Sequence, residues 1–170
     1  LTNRIPRRLL TRAMGRFSRI RSPLLTRWSI RVWQWFADDL RLHEAETDRF
    51  DSLQACFTRR LKPGARSIDP DLDALISPCD AVIGAHGRIV QGLLLQAKGM
   101  VYRLEELLGD SALARRHENG SYVTLRLKSS MYHRFHAPCG GRLRSIDYIS
   151  GDVFNVNPPT LKRIEKLFCR

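Results

Sequence analysis

The segment SYVTLRLKS, Ser121–Ser129, alternates apolar and polar side chains as a half-buried β-strand does. Val123, Leu125 and Leu127 share one face of that strand, because successive side chains point to opposite sides. From about Leu75 onward, other short apolar runs are separated by glycine and proline, a texture typical of strands joined by turns. The segment therefore predicts a β-rich body.

The segments around this strand predict its partners and the helices of the body. AVIGAHGRIV, Ala81–Val90, contains two glycine interruptions and predicts a hairpin, while LRSIDYIS, Leu143–Ser150, predicts the neighbouring strand. Three helices are expected, at FDSLQACFTRRL (Phe50–Leu61), at VYRLEELLG (Val101–Gly109, with a glycine C-cap) and at Thr160–Phe168. The predicted fold class is α+β, with N-terminal amphipathic helices followed by a β-rich body with short helices.

Most of the positive charge lies in the first 37 residues. The chain has a formal net charge of +12, and residues 1–37 contain nine arginines and no acidic residue. The remaining 133 residues carry 20 basic and 17 acidic side chains, so the body is close to neutral. We expect residues 1–37 to form a basic arm and residues 38–170 to form the body.

The arm has the pattern of two amphipathic helices, with Ser22 and Pro23 as the N-cap and first residue of the second. Their apolar faces comprise Ile5, Leu9, Ala13, Phe17 and Ile20 in the first helix and Leu24, Leu25, Trp28, Val32, Trp35 and Phe36 in the second. Clustered tryptophan and arginine suit the headgroup region of an anionic bilayer. The alternatives are that the apolar faces only pack on the body, or that the arm binds nucleic acid, which the near-neutral body disfavours.

We therefore expect a peripheral membrane protein, since no apolar run is long enough to span a bilayer, and four widely spaced cysteines favour the reducing, cytoplasmic face of the cell membrane. The predicted membrane-contacting residues are Arg16, Arg19, Trp28, Arg31, Trp35 and Phe36.

A metal site is the first chemistry that the histidines suggest. His133, His136 and Cys139 are spaced as three ligands could be, but they lie in a proline- and glycine-containing loop without a second ligand pair. The four cysteines, Cys56, Cys79, Cys139 and Cys169, are widely spaced, which favours free thiols over a disulfide framework. We expect no metal.

Acid–base chemistry is the second possibility. Asp80 precedes an apolar strand, where an unpaired carboxylate is costly, so a partner is expected. Paired with His133 or His136, it would form two-thirds of a charge relay. Spacing alone favours the simpler alternative of a turn aspartate and two surface histidines.

Several blocks of the sequence resemble one known family, the phosphatidylserine decarboxylase proenzymes, in the right order from Phe50 to Arg170. The blocks are CFTRRLKPGARSID, SPCDAVI, LLLQAKGMVYRLEELLG, YHRFHAPCGG and GDVFNVNP, followed by a terminal LFCR. Two positions depart from the family pattern, which has glycine where Ala81 stands and proline where Ser67 stands.

The resemblance implies a proenzyme that cleaves itself before a serine in an L-G-S-T motif and converts that serine to a pyruvoyl cofactor. The pyruvoyl group serves decarboxylation of phosphatidylserine to phosphatidylethanolamine in phospholipid biosynthesis. By resemblance, Asp80 and His136 form the charge relay for self-cleavage, and His133 contacts the substrate or donates a proton. The implied partners are phosphatidylserine, an anionic membrane surface and the pyruvoyl-bearing small chain, without nucleic acid; a homodimer is compatible with the sequence.

No L-G-S-T occurs in the 170 residues. We therefore expect the chain to be part of the large-chain region, truncated on its C-terminal side and inactive by itself. The alternative is a catalytically inactive lipid-binding remnant of the same family.

Overall fold

The chain divides into two compact units. The computed structural model describes residues 6–95, 100–151 and 166–169. Unit 1 comprises Leu1–Ala81 and Leu127–Arg142, and unit 2 comprises Val82–Arg126 and Leu143–Arg170. Both helices and antiparallel strands are present, which confirms a mixed α+β fold, although the sheets are small. The division of the chain into an arm and a body at residue 37 stays a prediction.

Unit 1 begins with two helices, α1 at Arg7–Ser18 and α2 at Pro23–Phe36. Ser22 is the N-cap of α2, and its hydroxyl accepts a hydrogen bond from the backbone N–H of Leu25 at 3.4 Å. The predicted restart of the helix at Ser22 and Pro23 is therefore confirmed. In the described residues, no helix combines the length and the apolarity that crossing a bilayer would require.

The next helix of unit 1, α3, spans only Leu53–Phe57, after a 3₁₀ turn at Leu42–Glu44. The predicted helix Phe50–Leu61 is thus too long at both ends. Beyond Phe57 the backbone pairs with another segment instead: Leu61 forms an antiparallel bridge with Ala45. Lys62 N–H donates to the Glu44 carbonyl at 2.9 Å, and the Arg60 carbonyl accepts from Glu46 N–H at 3.0 Å. These backbone groups would have to form the hydrogen bonds of a longer helix, and they pair with a distant segment instead.

The core of unit 1 joins α2 to the segments that follow it. Ile30 of α2 is buried together with Leu40 and Cys56, and Trp33 and Leu53 are among the partly buried side chains packed against them. This packing uses one side of α2, on which Thr26 is also buried. Burial also raises the pKa of the Cys56 thiol to about 11, so this cysteine is an inert core residue.

A buried arginine links three backbone segments of unit 1. Arg59 is only 5% exposed, and its guanidinium donates hydrogen bonds to the carbonyls of Cys56 at 3.2 Å, Leu40 at 2.8 Å and Ser130 at 3.3 Å. Its Nε is buried without a hydrogen-bond partner in the described structure. Because Ser130 lies 71 residues away in sequence, this side chain connects the start of the unit to its returning segment.

Unit 2 contains two antiparallel pairs of strands. Strand β1 (Val82–Arg88) pairs with β4 (Ser121–Arg126), with a bulge between Ile83 and Ala85, and β2 (Leu93–Leu95) pairs with β3 (Val101–Arg103). The predicted hairpin within Ala81–Val90 is therefore wrong, because its first glycine lies at a bulge in one continuous strand. Leu143–Ser150 is not a strand, and the observed partner of β4 is β1.

The predicted strand at Ser121–Ser129 is confirmed over Ser121–Arg126, and both of its faces are partly covered. Val123 is 55% exposed, and Tyr122 on the opposite face packs against the core of unit 2. Alternation identifies two faces of a strand but does not say how far neighbours cover each one.

The described part of unit 2 also contains two short helices, α4 at Leu104–Leu108 and α5 at Ser111–Arg116. The helix predicted from Val101 starts three residues later, because Val101–Arg103 is strand β3. Gly109 follows α4 with φ of +65°, which confirms the glycine C-cap. Most of the predicted helix Thr160–Phe168 lies outside the described residues, and Leu167–Cys169 forms a 3₁₀ turn.

We predict that Arg59→Met lowers the free energy of unfolding of unit 1 by about 2–4 kcal/mol, since three buried carbonyls lose a charged donor. Urea unfolding followed by tryptophan fluorescence measures this, because all three tryptophans lie in α2. The neighbouring Arg60 is exposed, so Arg60→Met is the matched control and should change stability little. Equal losses in the two variants would contradict the role of Arg59.

Candidate active site

A cleft in unit 1 has a volume of about 670 Å³. Its walls come from three segments of the chain, 60–68, 76–80 and 132–137. Arg66, Asp80, Tyr132 and His136 are among the polar side chains that line it, beside apolar ones such as Ile76. The cleft therefore combines charged, titratable and apolar groups in one place, as ligand and active sites do.

Two backbone hydrogen bonds bring Asp80 and His136 to this cleft. Ile76 N–H donates to the Pro138 carbonyl at 2.9 Å, and His136 N–H donates to the Pro78 carbonyl at 2.7 Å. The segment before Asp80 is thereby paired with the segment that carries His136. The sequence predicted a functional association of these two residues, and the fold places both on the same cleft.

Asp80 is held by an arginine. Arg66 Nε donates to the two carboxylate oxygens of Asp80 at 2.9 and 3.1 Å, and Arg66 Nη2 bonds both Asp80 and Glu44, the latter at 2.9 Å. The hydrogen bonds from Arg66 lower the pKa of Asp80 in spite of its partial burial. The same two carboxylates raise the pKa of Arg66. Asp80 is therefore an ionised, oriented carboxylate rather than a simple turn residue.

His136 is paired with a tyrosine. Tyr132 Oη and His136 Nε2 are 3.0 Å apart, and the two rings stack with centroids separated by 5.6 Å. Tyr132 is buried, whereas His136 is exposed in the cleft wall. In the described structure, the side chains of Asp80 and His136 do not hydrogen-bond each other; Asp80 bonds Arg66 and His136 bonds Tyr132. Their assignment to a charge relay stays a prediction.

His133 lies in a different environment from His136. Its ring stacks on Phe57 with centroids 4.0 Å apart, and its Nε2 is buried without a hydrogen-bond partner in the described structure. Burial is the main cause that lowers the pKa of His133, and the positive charge of Arg59 acts in the same direction. Hydrogen bonds to the backbone of Ser129 and Lys128 oppose this shift. His133 is thus held as a neutral ring with one unused nitrogen.

The other predicted site residues have simple placements. The six predicted membrane-contacting residues are all exposed: Arg16, Arg19, Trp28, Arg31, Trp35 and Phe36. Cys139 is an exposed free thiol. Among the described residues, no group of three or more histidine, cysteine, aspartate or glutamate side chains is arranged to hold a metal ion.

Three residues that build this site were not predicted from the sequence: Arg66 contacts Asp80, Glu44 contacts Arg66, and Tyr132 contacts His136. Arg66 lies in one of the quoted blocks, and Tyr132 directly precedes His133, so both carried a signal that was not used. Glu44 lies in the polar connector after the arm and carries no local signal, because only the fold places it beside Arg66.

Comparison with known proteins gives a consistent result. Residues 53–170 match the family described as phosphatidylserine decarboxylase. Proteins named phosphatidylserine decarboxylase proenzyme from Vibrio vulnificus (strain YJ016) and Shewanella baltica (strain OS155 / ATCC BAA-1091) are 40% and 37% identical to this chain. Each alignment covers 98% of this chain and 59% or 58% of the relative, so the chain spans about three-fifths of the length of these curated relatives.

We predict that His133 makes unit 1 less stable as the pH falls through about 6.5. Because its folded-state pKa lies below its ordinary value of 6.5, the unfolded state takes up the proton first, and stability present above pH 6.5 is lost below it. Asp80, whose pKa is lowered from 3.8, loses its contribution only at much lower pH. Urea unfolding by tryptophan fluorescence between pH 7.5 and pH 5 measures the effect.

His133→Phe keeps an aromatic ring against Phe57 but cannot be protonated, so it should flatten this pH dependence. His86→Phe, at an exposed position in unit 2, is the control and should retain it. The prediction is wrong if His133→Phe shows the same slope as the unsubstituted chain.

Proposed function

Because this chain belongs to the phosphatidylserine decarboxylase family, we propose that it supplies the acid–base residues of a proenzyme that cleaves itself and then decarboxylates phosphatidylserine to phosphatidylethanolamine. The observation that carries this proposal is the cleft to which paired backbone segments bring Asp80 and His136. Both residues lie in the part of the chain that matches the family. The names of the relatives support a substrate of this class and a chain that is processed after synthesis.

For self-cleavage, we assign to His136 the role of general base. It takes the proton of a serine hydroxyl as that oxygen attacks the preceding carbonyl, and it thereby becomes an imidazolium, which afterwards protonates the amide nitrogen as the C–N bond breaks and leaves an ester. Asp80 then stabilises the positive ring, which requires the carboxylate to be ionised. The hydrogen bonds from Arg66 support this requirement. The serine belongs to the L-G-S-T motif that the resemblance implies.

Decarboxylation in this family depends on a pyruvoyl group, which supplies an electron sink for the electron pair left when CO₂ departs. The residues of this chain fit such a group. It is small and covalently attached, so it needs only a neighbouring side chain able to exchange a hydrogen bond or proton. His133, with its buried and unused Nε2, is the residue we assign there, as a substrate contact or proton donor.

The two N-terminal helices support attachment to a membrane. Helix α2 has an outer face, formed by Leu24, Arg27, Trp28, Arg31 and Trp35, that is exposed and lies opposite the side packed in the core. Trp28 is 64% exposed and Trp35 is 78% exposed, so packing on the body does not account for them. Apolar rings flanked by arginine suit an anionic headgroup layer.

We therefore place the protein peripherally, on the cytoplasmic face of the membrane. Its proposed partners are phosphatidylserine, the anionic surface and the pyruvoyl-bearing small chain, with a homodimer compatible with the sequence.

We predict that Asp80→Asn and His136→Ala each slow self-cleavage at least about 100-fold, the scale of a lost general base or its partner. His133→Ala should cleave normally but lower the rate of phosphatidylethanolamine formation at least about tenfold. The measurements are gel analysis of processing and product formation, in the proenzyme that joins this sequence to the serine-bearing segment. Normal cleavage in all three variants would contradict the assignment.

We predict that the double variant Trp28→Ser, Trp35→Ser binds phosphatidylserine-containing vesicles about 10–100-fold more weakly, since two exposed rings no longer enter the interface. Vesicle sedimentation measures this. Substitution is preferable to deletion of the arm, which would also remove Ile30 from the core. Leu72→Ser, Leu75→Ser removes two other exposed apolar side chains of unit 1 and should bind normally. Equal binding by both double variants would mean that the outer face makes no contact.

A further inference from the structure

We propose that Arg66 and Glu44 are positioning residues for self-cleavage: Arg66 keeps the Asp80 carboxylate ionised and oriented at the cleft, and Glu44 anchors Arg66 in that place. The inference rests on the proposed function, because it concerns the same carboxylate. It adds two residues to which neither the family resemblance nor the sequence analysis assigned a role.

The geometry shows a guanidinium whose nitrogens are all engaged. Nε lies between the two oxygens of Asp80, at 2.9 and 3.1 Å, and Nη2 reaches both Asp80 Oδ2 and Glu44 Oε2. Nη1 donates to the Ala65 carbonyl at 2.6 Å. A guanidinium is rigid and planar, so contacts on three sides fix its plane and thereby the plane of the Asp80 carboxylate.

This arrangement leaves acceptor capacity on Asp80 for a histidine. A carboxylate has about four lone-pair positions. Arg66 approaches Oδ2 twice and Oδ1 once, so one position on Oδ1 stays unused in these contacts. Arg66 is therefore compatible with a relay to an imidazole N–H while it holds the carboxylate in one orientation.

Glu44 also matters for the charge of the cluster. Glu44 pairs with Arg66 and, at 3.6 Å, with Arg41, so two carboxylates and two guanidinium groups form one network whose formal charges cancel. Without Glu44 the network would carry a net charge of +1, which opposes a nearby imidazolium more than the neutral network does. Without Arg66, the two carboxylates would repel each other, and one would hold a proton to higher pH.

Two other arginines act on Asp80, each less strongly than Arg66 does. Arg41 and Arg59 also lower the pKa of Asp80, but by charge alone and without a hydrogen bond to it. The groups that share a cavity wall or a direct interaction with Asp80 are Asp38, Asp39, Arg41, Glu44, Arg59, Arg60, Lys62, Arg66, Cys79, Lys128, Tyr132, Arg134 and His136. Among these groups, in the part of the chain that the structure describes, Arg66 is the one that hydrogen-bonds the Asp80 carboxylate.

The test measures the rate of self-cleavage against pH in the full proenzyme. Arg66→Gln should slow cleavage at pH 7 at least about tenfold and move the acid limb of the profile to higher pH. Arg66→Lys keeps the charge but cannot bridge two carboxylates, so its acid limb should stay in place while its rate falls less. Glu44→Gln leaves the Arg66–Asp80 pair intact and should slow cleavage without moving the acid limb upward.

Controls separate position from charge and folding. Arg49→Gln removes an exposed arginine of unit 1, and Asp48→Asn removes an exposed carboxylate that lines neither cavity beside Asp80; both should cleave as the unsubstituted proenzyme does. Tryptophan fluorescence reports whether each variant is folded. If Arg66→Gln does not fold, Arg66→Lys decides the question, since a rate equal to that of the unsubstituted proenzyme would overturn the proposal.

Asp80→Asn distinguishes this inference from the proposed function. If Asp80→Asn is blocked but Arg66→Gln cleaves within twofold of normal with the same acid limb, the role of Arg66 is wrong and the relay stands. If Asp80→Asn cleaves normally, the relay itself is wrong, and the inference fails with it.

Discussion

The position of the loop that carries His133 and His136 depends on one buried cation, the guanidinium of Arg59. Arg59 donates to three backbone carbonyls, and the one at Ser130 belongs to the segment that continues into His133 and His136. An unpaired buried guanidinium would be very costly, so the carbonyls must stay where the side chain can reach them. The cost of burying the charge thus ties the loop to α3 and to the segment around Leu40.

Arg66 lies seven residues further along and uses its charge differently. Arg59 is surrounded by neutral carbonyls and fixes backbone, whereas Arg66 is partly exposed and is surrounded by carboxylates. A guanidinium and a carboxylate that are hydrogen-bonded shift each other's pKa, whereas a backbone carbonyl has no proton to gain or lose in this pH range. Within one short stretch, therefore, one arginine holds the loop through backbone carbonyls and the other lowers the pKa of Asp80 through hydrogen bonds.

Helix α2 serves two environments at once. Its inner side buries Ile30 and presents Trp33 to Phe57, whose ring in turn stacks on His133. Its outer face carries exposed tryptophan beside arginine. The helix that we propose to meet the lipid surface is thus also the helix that supports the histidine we propose to meet the lipid substrate, and a rigid helix keeps these two contacts in a constant relation.

The sequence by itself determined the α+β class, the start of α2 at Ser22 and Pro23, the glycine end of α4 and, through ordered motifs, the family. These features are local or are repeated among relatives, so neighbouring residues suffice to specify them. It did not determine how far each face of β4 is covered, that β1 rather than Leu143–Ser150 pairs with it, or that Glu44 and Asp80 share Arg66. Those outcomes depend on residues far apart in the chain meeting in space, and only the tertiary structure decides which distant backbone or charge satisfies a given group.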